Sequence, residues 1–372
     1  MLRVPARRTA PAWRWNAREE ALTHMQITTA FPCEEALRIL RHWGITVSAE
    51  AVAPGSGTAN ASAIVTLPGR RLMLRRRNPR YAHTDWVRFD HALLAHLAAE
   101  GLPVPHSVPG PAGDAWLEEG QQIYELFDFI EGDQHREGDP GELAAAGATL
   151  ARLHTAAAQF HPPVEKPWPR FHDPRDLPGW IEPLIPQASG DQREVMQRAL
   201  NSAHALVKRL PDDLYRALPQ TVVQGDYHPA NLKFRAGQVA GVFDWDWASL
   251  QPRMVDVADG LLFFCGVRRA PLIAGDIWSL TDAFTISEQR AQHFLGGYRS
   301  VDDLSADELQ ALPNLMRARW LYCRVDAARR KVEPARAVEF ITRDLDLPLD
   351  GMDLIEAKLS GASGLKSYGR RE

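Results

Sequence analysis

Asp226, Asn231 and Asp244 are the residues of this 372-residue chain best placed to do chemistry. They sit in Gln224-Gly225-Asp226-Tyr227-His228-Pro229-Ala230-Asn231 and in Gly241-Val242-Phe243-Asp244-Trp245-Asp246. Thr221–Val223 reads as a short buried strand that runs into a polar loop. Gly225 supplies backbone freedom there, and Pro229 stiffens the exit. Asn231–Phe234 and Val239–Phe243 read as two strands around the turn Ala236-Gly237-Gln238. Such a hairpin returns its end to its start, so the two carboxylates and the amide converge. An all-oxygen set of this kind suits Mg²⁺.

The order and spacing, with the local wording GDYHPANLKF and GVFDWDWA, resemble the catalytic loop and metal-binding segment of kinase-like phosphotransferases. The resemblance is to the aminoglycoside phosphotransferase and choline kinase superfamily, including its homoserine kinase-like members. It covers about Ala36 to Leu315. It implies a two-lobed, protein-kinase-like α+β fold, with a small N-lobe of antiparallel sheet and one helix and a large, mainly helical C-lobe. It also implies an ATP- and Mg-dependent kinase acting on a hydroxyl of a small molecule. Asp226 becomes the catalytic base, and Asn231 and Asp244 the metal ligands. Gly57 falls in the phosphate-covering loop. Arg75 follows the strand Leu72–Leu74 where the family has a phosphate-pairing cation, and Asp90 lies where it has the helix acid that pairs with that cation. Adenine is expected at the hinge backbone near Asp128 and Ile130.

Three residues depart from the family pattern. Gln224 replaces a His that generally supports the loop, Arg75 a frequent Lys, and Asp90 the usual Glu. They keep open a reading from another class, a pseudokinase that binds nucleotide without turnover. Phosphorylation of protein Ser or Thr is a further option within the fold. If the strand runs on past Phe243, Asp246 shares a face with Asp244, with Cα atoms roughly 6.5 Å apart. Asp246 then reaches a second metal or the substrate; otherwise it caps a turn.

The remaining elements must position these residues. Helices are expected at Glu34–Trp43, Thr84–Glu100, from Asp139 to about His154, and at Asp191–Leu210. The strand Ile123–Phe129 closes the small lobe. His154 reads as structural, and Asp256 as a helix cap or a support for the loop backbone. Arg290–Tyr298, Ala306–Leu315 and Arg317–Lys331 read as helices walling the acceptor pocket. The lobes are assigned to residues 25–128 and 129–360. Residues 1–24 read as a disordered extension, or as sequence upstream of a start at Met25, and 361–372 as a flexible tail.

Composition narrows the partners. A net charge of −4 gives no reason to expect nucleic acid. The apolar run around Leu261–Val267 is too short to span a membrane. Cys33, Cys265 and Cys323 lack metal spacing and read as reduced thiols, which suggests the cytoplasm. The oligomeric state is left open. From residue 251 onward 18 acids face 17 Lys and Arg, so nothing there favours a polycationic acceptor. Arg317 and Arg324 are instead candidates for holding an anionic group on the acceptor.

Overall fold

The computed structural model describes residues 31–55, 60–167, 171–270, 273 and 276–360. Residues 1–24, Gly57 and the tail 361–372 lie outside the described residues.

Helix α1 (Cys33–Leu40) packs on a five-stranded antiparallel sheet. Its strands are β1 (Val52–Pro54), β2 (Ala61–Leu67), β3 (Arg70–Arg76), β4 (Trp116–Glu119) and β5 (Gln122–Asp128), in the order β1-β2-β3-β5-β4. Alternation decides the faces. Leu72 and Leu74 enter the small core with Ala63, Val65, Ile39, Leu40 and Leu126, while Arg75 and Arg77 share a face away from Arg76. Helix α2 (Thr84–Ala99) crosses behind the sheet. Its buried side includes Phe89, Leu93, Leu94 and Leu97, and also Asp90 and His91.

The chain then turns helical. Asp139 caps α3 (Pro140–Ala157) through Glu142 N–H, with Pro140 opening the helix. Short α4 (Leu177–Ile181), long α5 (Asp191–Arg209) and short α6 (Asp212–Ala217) follow. Next come β6 (Gln220–Val223), the hairpin β7 (Leu232–Arg235) and β8 (Gln238–Val242), and β9 (Ser249–Pro252), which pairs antiparallel with β6. The rest is α7 (Met254–Phe264), the ribbon β10 (Gly266–Arg268) with β11 (Phe284–Ile286), α8 (Glu288–Arg299), α9 (Ala306–Arg330), α10 (Ala337–Thr342) and α11 (Asp346–Ser360). One large core joins these helices to the inner side of α2.

The kinase-like α+β architecture is thus present, with two local differences. The two helices expected over 306–331 are one continuous helix, which accommodates Pro313 in its interior. The strand before Asp244 stops at Val242. Asp244 takes a left-handed conformation (φ 54°, ψ 69°), and Trp245–Trp247 form a single 3₁₀ turn. Asp246 therefore does not share a strand face with Asp244. Among the described residues no helix is long and apolar enough to cross a membrane.

Candidate active site

Asp226 projects from the loop after β6. That loop depends on Gly225, whose φ of +87° suits glycine and whose added Cβ would meet the Trp247 carbonyl oxygen at 2.6 Å. Asp256, at the start of α7 and fully buried, accepts hydrogen bonds from the N–H groups of Gln224 (2.7 Å) and Gly225 (2.8 Å). His154 Nε2 lies 3.1 Å from the same carboxylate. Asp256 is therefore a support for the loop backbone, and His154 is structural.

Gln224 stitches the loop to the next segment. Its Nε2 donates to the carbonyls of Phe243 (2.9 Å) and Asp244 (2.7 Å), and its Oε1 accepts from Asp226 N–H (2.8 Å). An amide that both donates and accepts fills the supporting place that the resemblance assigns to His.

The Asp226 carboxylate has Arg319, His228 and the Asn231 side chain as polar neighbours. Arg319 of α9 donates from Nη2 to its Oδ1 at 2.9 Å, and His228 Nε2 lies 3.2 Å from its Oδ2. Burial pushes the acid upward, but His228 and Arg319 outweigh it and hold the acid down at about 2. Arg319 is fixed in turn: its Nε donates to buried Asp259 (2.9 Å), which also faces His172 Nε2 (3.0 Å). The aromatic rings of Phe171, Trp247 and Phe263 surround the guanidinium.

Asn231 donates from Nδ2 to the Asp226 carbonyl (2.9 Å) and accepts at its own carbonyl from Phe243 N–H (2.8 Å). The loop and the hairpin are thereby joined. Asp244 has a buried Oδ1 with no hydrogen-bond partner among the described residues. Burial first, then the nearby Asp246, pushes its carboxyl well above the usual range. A buried, unsatisfied carboxylate oxygen beside a second acid and an amide is what a bound cation would resolve. The described residues hold no group of three or more His, Cys, Asp or Glu side chains able to bind a metal unaided. Asp244 and Asn231 are the residues that could hold Mg²⁺.

Across the cleft, the expected Arg75–Asp90 ion pair is not formed. Asp90 pairs with Arg77 (2.8 Å) and with Lys166 (2.5 Å), a connector residue missed by sequence reasoning. Arg75 pairs instead with Glu125 (2.8 Å), its cross-strand neighbour, and with Asp246 (3.1 Å). Residues 75 and 77 share a face, and the strand pattern alone does not say which of them reaches the helix. Asp246 is likewise engaged: it accepts from Asn60 Nδ2 (2.7 Å), and its carbonyl accepts from Lys166 Nζ (2.7 Å). Three cations (Arg75, Arg77, Lys166) thus balance three buried carboxylates (Asp90, Glu125, Asp246). Of the three cations, Arg75 keeps the most exposed side chain, at 16%.

At the hinge, Asp128 N–H is used by the His106 carbonyl (2.9 Å), and its side chain pairs with Arg70. Ile130 packs over Gly241, where an added Cβ would lie 2.9 Å from its side chain.

Arg317 and Arg324 do not meet Asp226. Arg317 points the other way, to Asp353 (2.5 Å) and Glu356 (2.6 Å) of α11. The terminal nitrogens of Arg324 donate to the carbonyls of Phe340, Arg343 and Thr281. Arg319 reaches the site instead. Its signal was in the helical phase: about 200° of rotation separates it from Arg317, while Arg324 falls back on the Arg317 face.

An acid and an amide thus stand beside a polar loop in a kinase-like fold, and the chain is a phosphotransferase that uses a hydroxyl acceptor. The chain belongs to the phosphotransferase enzyme family, whose model matches residues 50–285. It is 27% identical over 290 residues to a homoserine kinase of Paramagnetospirillum magneticum (74% of this chain, 78% of that one). It is 26% identical over 294 residues to a homoserine kinase of Rhodopseudomonas palustris (79% and 83%). Among solved structures, a microcompartment-associated aminopropanol kinase superposes with a TM-score of 0.63 at 18% identity, covering 88% of this chain and all of that one. An amicoumacin kinase bound to AMP-PNP gives 0.59 at 15%, covering 95% and 97%.

Proposed function

We propose that this protein transfers the γ-phosphoryl group of ATP, with Mg²⁺, to the hydroxyl of a small molecule of the homoserine kind. The observation that carries the reading is the pairing of an anchored, ionised Asp226 with an unsatisfied Asp244 oxygen across one hairpin. In this reading Asp226 orients the acceptor hydroxyl and takes its proton as the bond to phosphorus forms. With its acidity held near 2, Asp226 acts mainly by alignment, which suits a transfer with little need for early deprotonation. Arg319 and His228 position that carboxylate. Mg²⁺, when bound, neutralises phosphate charge, and Asp244 and Asn231 are the residues that hold it. Arg75 braces phosphate from the small lobe, and the hinge backbone near Asp128 and Ile130 receives the adenine, with Ile130 against its face. Both homoserine kinase relatives support an amino-acid alcohol as acceptor.

The test is ADP formation from Mg-ATP across a panel of hydroxyl amino acids, amino alcohols and aminoglycosides. L-Homoserine or a close analogue is expected to stimulate ADP release at least tenfold. A panel in which no hydroxyl compound does so would overturn the proposal.

A further inference from the structure

Arg268 ends β10, opposite Phe284 of β11. Its guanidinium lies 4.5 Å from the Phe284 ring centre and 6.0 Å from that of Trp320. Both terminal nitrogens, Nη1 and Nη2, are shut off from solvent and find no acceptor among the described residues. No carboxylate there forms an ion pair with Arg268. The acids that act on it, Asp282 and Glu137, are held by Arg343 (2.8 Å) and Arg290 (3.0 Å).

The surroundings repeat the imbalance. Arg324 lies over the same indole at 4.9 Å. Its Nε and the Trp320 Nε1 are also buried without an acceptor. Arg324 and Trp320 are each 1% exposed. Donors from three side chains therefore gather around one indole with no acceptor among the described residues. Burial lowers the affinity of both guanidinium groups for their protons, Arg268 to about 10 and Arg324 to about 9. Folded proteins seldom leave buried donors or charges unmatched, because each unmatched group keeps its full desolvation cost. An anion would match these.

Helix α9 links this cluster to the active site. Arg319, which touches Asp226, immediately precedes Trp320.

We infer that Arg268, with the indole N–H of Trp320, is the receptor for the carboxylate of the acceptor. The Nη1/Nη2 fork matches the two oxygens of one carboxylate, and the flanking Phe284 and Trp320 rings suit a planar group. The inference rests on the hydroxyl-acceptor reading above, and it adds the side chains that hold the acceptor's carboxylate.

The experiment is calorimetric binding and thermal melting without nucleotide, at constant ionic strength. The probes are L-homoserine, its carboxamide and acetate, and the proteins are the full chain and its Arg268→Gln and Arg268→Lys variants. The parent is expected to bind homoserine at least tenfold more tightly than the carboxamide. Arg268→Gln is expected to lose that preference, and Arg268→Lys to keep part of it. Apo Arg268→Gln is expected to melt no lower than the parent, because it removes an unmatched buried charge. Three results would overturn the inference: no preference for the acid in the parent, an undiminished preference in Arg268→Gln, or acetate binding as tightly as homoserine. The last would make this a site for a free anion. Transfer assays separate the two readings. A parent that phosphorylates acid and amide alike keeps the proposed function and loses the subsite. Carboxylate-dependent binding without transfer to any acceptor does the reverse.

Discussion

Asp256 offers the sharpest test of how the active-site loop is held. Its carboxylate is fully buried and meets three groups: the N–H of Gln224 at 2.7 Å, the N–H of Gly225 at 2.8 Å and His154 Nε2 at 3.1 Å. Hydrogen bonds to a charged group are worth about 1.5–3 kcal/mol each, and a donor left unmatched in the interior costs about 1–3 kcal/mol. Asp256→Ala strands all three, so the loss is about 4.5–9 kcal/mol, a large part of the 5–15 kcal/mol typical of a domain. Asp256→Asn keeps one oxygen and turns an NH₂ toward a backbone N–H, for a loss of about 2–4 kcal/mol. Because the loop carries Asp226, a shift near 1 Å lowers turnover by about 10²-fold. Urea unfolding followed by tryptophan fluorescence gives the stability change, and steady-state kinetics gives the rate. If Asp256→Asn lost under 1 kcal/mol and kept full turnover, the idea that this carboxylate anchors the loop would be wrong.

Further predictions follow from the same geometry. Arg77→Met leaves Asp90 and Glu125 short of a buried partner and is expected to cost about 3–5 kcal/mol in thermal or chemical unfolding. Arg75→Met, at the more exposed side chain, is expected to cost less stability and more Mg-ATP affinity, which a calorimetric titration would show. Gly225→Ala forces a strained φ and a clash with the Trp247 carbonyl; a loss above about 1 kcal/mol is expected, with reduced turnover. Arg317→Ala loses pairs with the half-exposed acids of α11 and a hydrogen bond to Asn314 Oδ1 (3.3 Å). A loss of about 0.5–3 kcal/mol, with an unaltered acceptor KM, is expected; a raised KM would return Arg317 to the pocket.

What was legible in the sequence was local. Asp226, Asn231 and Asp244 flank one hairpin, so their spacing carries their convergence. The cap of α3 and the stripe of α2 could be read from residue type and period. What was hidden depends on long-range packing. Lys166 lies in a proline-rich connector with no periodicity, yet it bridges Asp90 of one lobe and the Asp246 backbone of the other. Arg319 lies 93 residues from the Asp226 it contacts. The choice between Arg75 and Arg77 depended on depth along a strand, which alternation does not encode. Which of the two readings of Asp246 holds turned on where the strand ends; it stops at Val242 and Asp244 is left-handed, a conformation that Asp is one of the few non-glycine residues to tolerate.

The most direct test of the central claim compares Asp226→Asn with Asp244→Asn in calorimetric ATP titrations, with and without Mg²⁺, run beside a phosphoryl-transfer assay. Asp226→Asn is expected to keep Mg²⁺-dependent ATP affinity within a few-fold while turnover falls by about 10²-fold or more. Asp244→Asn is expected to lose both. Full turnover in Asp226→Asn, or parent-like Mg-ATP binding in Asp244→Asn, would contradict the account.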